Sequence, residues 1–533
     1  MAVQTHEPMA VAALTPAERV VARFLPSLAD IVFFSIFLGA LFGLQGRLLG
    51  TDGDAAWNLR IGGQILAHGL PRTEFMLRPT LGQPEIYFEW LAQVIYALAL
   101  RIGGLNGVVA LAAAFVALEM TLLFNMLRRR GVTLPLALVA TLAGGWLTAP
   151  TWTARAQHFT LIFVLLWWGW LWRYWRNGDS RLLWCFPLTM VVWANLHGGF
   201  ISGFVLLGVV AAVAWLFPSG RDGANPRHLS LALAGSIVAS LVNPWGPALL
   251  VHIVTHLSNP LVLANTKEFL SPDFHSAYGM VFLLLLFATA GVLIWRARLG
   301  HIVPLDLAMA AVWTALALQS VRFVSLWALI VLPILCETLM ICLRANGRAY
   351  AASWPPRLKR YVRGAAQRFQ RVEALDRVTG RGLWAALALA AVLVVVLNNG
   401  ALPGRSSPVL TAQFDATVFP IQAAARLHAD GLPAGAGFTT YTWGSYLDYA
   451  LPEYHPFIDS RSDVYGEQLL SDYLDIVGLA PDWRHLLDHY AIRWALLSRT
   501  EPLAQALPLL PGWSCAPADD QQLALLCVLG SHP

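Results

Sequence analysis

Long apolar runs recur along this chain, and they leave its backbone few choices. They fall at Leu28 to Leu44, Leu105 to Leu127, Val132 to Leu147, Phe159 to Trp175, Leu182 to Leu196 and Phe200 to Phe217. Others follow at Leu229 to Val242, Tyr278 to Trp295, Leu305 to Leu318, Phe323 to Leu343 and Leu383 to Leu397. At about 1.5 Å of rise per residue these runs are long enough, or nearly so, to span hydrocarbon as helices. Inside a bilayer no water satisfies the backbone, so a spanning segment must satisfy itself. Composition agrees: 57% of residues are hydrophobic and 13% charged, and a soluble core could not absorb that much apolar surface. The chain therefore reads as a polytopic α-helical membrane protein of about eleven transmembrane helices.

The net charge of +5 reflects topology rather than an acidic partner, and no nucleic acid is expected. Arg128 to Arg130, then Arg173, Arg176 and Arg181, then Arg221 and Arg227, then Arg296 and Arg298 fall in alternate loops, as does the cation-rich segment from Arg344 to Arg381 with Lys359. The positive-inside rule puts all of these in the cytoplasm, with N-terminal residues 1–27 and their Arg19 and Arg23. The expected domains are that N-terminus, a transmembrane domain over 28–398 with an outer first loop at 45–104 and a cytoplasmic loop at 344–381, and an extracytoplasmic domain over 399–533. No cleavable signal peptide is visible before Pro26. The run Phe88 to Ile102 breaks the parity and reads as a helix at the outer interface, the competing view being a twelfth crossing.

Residues 399–533 differ in character. Pro and Gly punctuate short segments; Trp494 to Leu497 and Leu523 to Cys527 read as strands, and Gly466 to Val477 and Trp483 to His489 as helices, so a small α+β domain is expected. Trp513 to Ala516 and Leu523 to Leu529 would form a hairpin bringing Cys515 opposite Cys527. In an oxidising compartment that predicts a disulfide; the alternative is two separate buried thiols. Cys185, Cys336 and Cys342 lie in or beside membrane helices and should stay reduced.

Chemistry is expected in the outer segments, where a charge beside the bilayer is costly unless used. The first loop opens with Thr51-Asp52-Gly53-Asp54, followed by an amphipathic stretch, Ala55 to His68. Either acid could simply cap that helix. A cap does not require Arg60, Arg72, Arg78 and Arg101 in an outer loop, and Arg suits a phosphate held by paired hydrogen bonds. Further polar outer segments are Arg155 to His158, Trp193 to Gly199 with His197, Asn243 to Gly246, Lys267 to Phe269, and Gln319 to Arg322. Singly each reads as a cap or interhelical bond; together they could line an outward cavity. In the terminal domain Tyr441 to Tyr446 leads into a run carrying Asp459, Arg461 and Asp463, read either as an ion-paired turn or, with Glu89, as acceptor contacts. No zinc spacing, phosphate loop or nucleophile elbow occurs.

The first loop resembles that of the GT-C glycosyltransferases, in particular the aminoarabinose transferases and protein mannosyltransferases, which take a sugar from a polyprenyl-phosphate carrier. Asp54, the segment Trp57 to Leu66, Gly69, Pro71 and Gln83-Pro84 follow the family's order, while Ala55 stands where those families often have a second acid. The resemblance implies a GT-C-like fold and an inverting transfer at the outer face of a bacterial inner membrane. Asp54 would be general base, with Asp52 beside it. Arg60 and Arg72 would hold the lipid phosphate, then Lys267 and Arg322, with Arg155, His158 and His197 on the donor side. The implied partners are a polyprenyl-phosphate-linked sugar, membrane lipid, and a glycan, lipid or protein acceptor. No cofactor is required, although a divalent cation at Asp52 and Asp54 is conceivable. A lipid or glycan flippase or transporter, and a non-catalytic scaffold presenting the terminal domain, are the alternative classes.

Overall fold

The computed structural model describes residues 15–218, 223–300, 303–352, 354–380 and 382–530. Residues 1–14 of the expected N-terminal segment, Arg221 and Arg381 lie outside the described residues. All eleven apolar runs form helix: Leu28–Gly43, the second part of Trp90–Arg129, Leu134–Thr148, Gln157–Asn177, Cys185–Leu196, Ile201–Leu216, Pro226–Ser240, Ala277–Arg298, Pro304–Gln319, Arg322–Ala352 and Leu383–Leu397. Local chemistry sets several starts. Ser27 and Asp30 form a reciprocal capping box at the head of Leu28–Gly43, and prolines open Pro226–Ser240 and Pro304–Gln319. By length and composition, five helices among the described residues could cross a membrane: Trp90–Arg129, Leu134–Thr151, Gly198–Leu216, Ala277–Arg298 and Arg322–Asn346. Cys185–Leu196, at 12 residues, reaches only about 18 Å.

Two further segments outside the eleven runs are also helical. The run Phe88 to Ile102 belongs to a helix, Trp90–Arg129, that breaks at Gly103 (φ −145°, ψ 24°) and Gly104 (φ 58°, ψ −153°). Gly104 takes the left-handed region that a side chain would resist. The part before the break packs against the first-loop helix Asp54–His68. The segment 344–381, read as a loop, is largely helical: Arg322–Ala352 runs into it and a separate helix, Pro356–Asp376, follows. Its cations are carried on helical turns, which suits their spacing, since Lys and Arg are good helix formers.

After Leu397 the chain forms a four-stranded sheet in the order β1-β2-β4-β3, where β1 is Ala436–Thr439, β2 Ile492–Ser498, β3 Trp513–Pro517 and β4 Ala524–Leu529. β1 and β2 are parallel and the other pairs antiparallel. The expected strands and the helices Glu467–Val477 and Trp483–His489 are present; β1 and the helices Ile421–Asp430, Tyr441–Ala450 and Pro502–Ala506 were not foreseen. Cys515 stands opposite Cys527 in the β3–β4 register and the two form a disulfide. Cys185, Cys336 and Cys342 are free.

Candidate functional site

The first-loop helix begins at Asp54, preceded by Gly53 at φ 86°. A Cβ at Gly53 would stand 2.5 Å from Ser445 Cβ and 2.8 Å from the Thr442 carbonyl, so the glycine lets the helix Tyr441–Ala450 close on the loop. Asp52 does part of what a cap does, its Oδ1 accepting from the Asp54 N–H at 3.1 Å. Asp54, in the first turn, is left to use its side chain elsewhere. Its Oδ1 accepts from the Ser460 hydroxyl and from Trp57 Nε1 at 3.3 Å, and its Oδ2 lies 2.8 Å from Arg155 Nη2.

Arg155 ties three acids together. Its Nη2 also donates to Asp52 Oδ2, and its Nη1 donates to Glu268 Oε1 at 2.9 Å. Glu268 Oε2 in turn lies 3.8 Å from Arg322 Nη1. These groups border one cavity of about 600 Å³, which is also lined by Glu89, His197, Lys267, Tyr441, Arg461 and Asp463. His197 Nδ1 accepts from the Gly199 N–H at 3.0 Å and lies 2.7 Å from the Thr160 hydroxyl, which itself accepts from Trp193 Nε1. With Nδ1 so occupied, the ring proton belongs on Nε2, 3.4 Å from Glu89 Oε1.

The terminal domain supplies the opposite wall and is bound to the first loop at several points. Arg78 N–H donates to the Pro456 carbonyl at 3.0 Å, and His455 Nδ1 lies 3.0 Å from the Met76 carbonyl. Arg461, with 4% of its side chain exposed, bridges Glu74 at 2.9 Å and Asp459 at 2.6 Å. Asp463 pairs with His252 at 3.2 Å.

Electrostatics distinguish these acids. Asp54 keeps 21% of its side chain open, and that opening faces the cavity. Burial, opposed by Arg155 and aided by the neighbouring Asp52 charge, pushes its pKa up to about 7. Burial also works to raise Asp52 and Glu268, but their contacts with Arg155, and with Arg322 for Glu268, hold both below the usual carboxylate range. Burial pushes Glu89 up to about 8, and burial with the Asp463 charge does the same for Glu85. Burial opposes the hydrogen bond from His252 at Asp463, yet that bond and the charge of His256 bring Asp463 to about 2.

Of the residues singled out in the sequence, Asp52, Asp54, Glu89, Arg155, His197, Lys267, Arg322, Tyr441, Arg461 and Asp463 line this cavity. Four others stand elsewhere. Arg60 reaches the Pro452 carbonyl at 3.4 Å and lies over Phe75; Arg72 donates to the Pro244 carbonyl at 3.0 Å and lies over Trp245. His158 is buried between Glu119 at 2.7 Å and the Thr153 carbonyl at 2.8 Å, and Asp459 is buried behind Arg461. Sequence reading passed over Ser460, Glu85 and Glu268 as site residues. Ser460 lay inside the Asp459 to Gly466 run and Glu268 beside Lys267, so the signal was their neighbours. Among the described residues no group of three or more His, Cys, Asp or Glu is placed to hold a metal ion. Asp52 and Asp54 are joined instead through one guanidinium.

No protein family matches the chain, and no curated protein does. Several solved structures are similar to it at low identity. The Archaeoglobus fulgidus oligosaccharyltransferase tethered with an acceptor peptide is similar at 13% identity and a TM-score of 0.48, over 88% of this chain and 68% of that one. The oligosaccharyltransferase AglB from the same organism, in complex with an inhibitory peptide and a dolichol-phosphate, gives 13% identity and 0.49 over 88% and 69%. ArnT from Cupriavidus metallidurans bound to undecaprenyl phosphate gives 15% identity and 0.49 over 94% and 98%. With TM-scores below 0.5, no residue's role is carried across from them.

Proposed function

We propose that the chain is a glycosyltransferase of a bacterial inner membrane, crossing it about eleven times with its N-terminus inside. Its terminal domain lies outside, and it moves a sugar from a polyprenyl-phosphate carrier to an acceptor at the outer face. One observation carries the reading: Asp54, its pKa raised to about 7, borders the same cavity as Arg155, Arg322 and Lys267. A base poised near neutrality beside cations is what transfer from a phosphate needs. The volume of about 600 Å³ lies within the range of small-ligand sites.

In the reaction, an acceptor hydroxyl oxygen attacks the anomeric carbon as the carbon–oxygen bond to the lipid phosphate breaks. The phosphate leaves with the bonding electrons from the opposite face, so configuration inverts. The hydroxyl proton passes to the Asp54 carboxylate, and Arg322 and Lys267 receive the developing phosphate charge. Ser460 and Trp57 orient Asp54, and Arg155 holds it beside Asp52. Glu89, Tyr441, Arg461 and Asp463 form the acceptor side. A divalent ion between Asp52 and Asp54 would have to displace Arg155 Nη2; unchanged rates on adding magnesium or manganese after chelation would remove the ion from the scheme.

The test is transfer from a polyprenyl-phosphate-linked sugar by the purified chain and by Asp54→Asn, each checked for its thermal transition. Activity in the parent and loss in a folded variant support the reading. A folded Asp54→Asn that transfers at the parental rate rejects Asp54 as the base.

A further inference from the structure

We infer that a second cavity, at the Leu28 end of the molecule, binds an anionic phospholipid, with Arg129 and Arg377 holding its phosphodiester and an acyl chain lying along Phe33, Leu118 and Leu389. This site is separate from the Asp54 cavity and independent of the transfer reaction. The cavity measures about 630 Å³ and lies between the helices Leu28–Gly43, Trp90–Arg129 and Leu383–Leu397 and the end of Pro356–Asp376. It has no lining residue in common with the Asp54 cavity.

Three acids and three arginines line it, but they are not equally engaged. Asp30 accepts from the Ser27, Gly382 and Ala385 N–H groups, at 3.1, 3.1 and 3.2 Å, and from the Ser27 hydroxyl. Asp376 accepts from the Leu28 N–H at 2.7 Å. Both carboxylates are thus spent on helix N-termini, whose partial positive charge they offset. Glu373 pairs with Arg128 at 2.7 Å, and Arg128 also donates to the Val132 carbonyl. Arg129 and Arg377 are exposed and make no ion pair among the described residues. The Thr121 hydroxyl, on a lining residue, is buried without a partner.

Two features choose a lipid over free phosphate. Leu118 and Leu389, 37% and 40% exposed, border the cavity on helices read as membrane-crossing, so its apolar wall continues onto a lipid-facing surface. In addition, Pro356–Asp376 exposes Leu358, Tyr361, Val362, Phe369 and Val372 along one stripe. Arg357, Arg360, Arg368 and Arg371 stand among them. A helix of that pattern lies in the plane of the headgroups, and cations there attract an anionic leaflet. The cavity at its end is therefore at phosphate depth, where Arg can make paired contacts.

The experiment is native mass spectrometry of the full chain in detergent, titrated separately with phosphatidylglycerol, phosphatidylcholine and glycerol 1-phosphate. Phosphatidylglycerol should half-saturate at a concentration about tenfold or more below phosphatidylcholine. The Arg129→Ala/Arg377→Ala double variant should lose about tenfold or more of that affinity. Leu118→Trp, which fills the apolar wall without changing charge, should lower it too. Arg181→Ala, an exposed cation outside the cavity, should change it less than about twofold. Equal binding of the two lipids, an unaffected double variant, or an equal loss in Arg181→Ala would overturn the site. Displacement by glycerol 1-phosphate at matched concentration would also overturn it, as a free-phosphate site.

Discussion

The two cavities are nearly equal in volume, about 600 and 630 Å³, yet their acids are used differently. In the second cavity Asp30 and Asp376 turn toward backbone N–H groups at helix starts and serve as caps, while Glu373 pairs with Arg128. Beside Asp54, the carboxylates of Asp52, Asp54 and Glu268 meet on Arg155, Asp52 also capping the Asp54 N–H, and burial leaves Asp54 at about 7 and Glu89 at about 8. Volume therefore does not locate the chemistry; what locates it is which acids remain uncommitted to backbone and how far burial has moved them.

The sharpest way to break that contrast is to neutralise one acid at each end. Asp54→Asn should lower transfer by about two to four orders of magnitude, the usual worth of a general base. Asp376→Ala should register in thermal unfolding as a lost helix cap of about 1 kcal/mol. The pH profile carries the same contrast. Asp54 accepts a proton only when ionised, so kcat/KM should climb with pH, flatten above about 7, and fall about tenfold per unit well below it. A flat profile across that range would mean that Asp54 is not the titrating base.

Next in size is the contact holding the terminal domain over the Asp54 cavity. Arg461→Met leaves Glu74 and Asp459 buried without their cation, which should cost about 3–5 kcal/mol in thermal unfolding. A smaller cost would mean that the two acids find other partners. Further from the cavity, joint replacement of Cys515 and Cys527 by Ser should cost about 3 kcal/mol on the chain-entropy account. Non-reducing mass spectrometry should find their peptides joined; free thiols in protein never reduced would argue against the outward placement of the domain. The smallest effects are expected at Arg60 and Arg72. Their contacts are carbonyls and partly buried aromatic faces outside the cavity, so each change to Ala should alter transfer by less than about 1 kcal/mol in activation free energy. A loss as large as that of Arg322→Ala would return them to the phosphate.

Periodicity and apolar length made the helices legible, because a run that cannot leave its backbone unpaired in hydrocarbon has one local solution. The β3–β4 hairpin was legible for a local reason as well: its two short strands are close in sequence and joined by a polar turn. The site was only partly so. Asp54 and the cations at 155, 267 and 322 stood out as polar groups in apolar company. By contrast, β1, the Ser460 contact and the Glu268 bridge depend on pairings between segments far apart in the chain, and nothing in a local window encodes a partner.

The sequence by itself determined that the long apolar runs are helices, where cations gather, and that an acid pair opens the first loop. Only the tertiary structure decided that Arg155, rather than Arg60 or Arg72, would stand between those acids. Arg60 and Arg72 belong to the first loop itself, and the fold turns their side chains toward Pro452 and Pro244. Arg155 comes from a turn between two later helices, and packing brings its guanidinium to Asp52, Asp54 and Glu268 at once. A local pattern specifies the conformation of its own residues, whereas the neighbours of a charge, and so its pKa and its use, depend on which distant segments the core brings together.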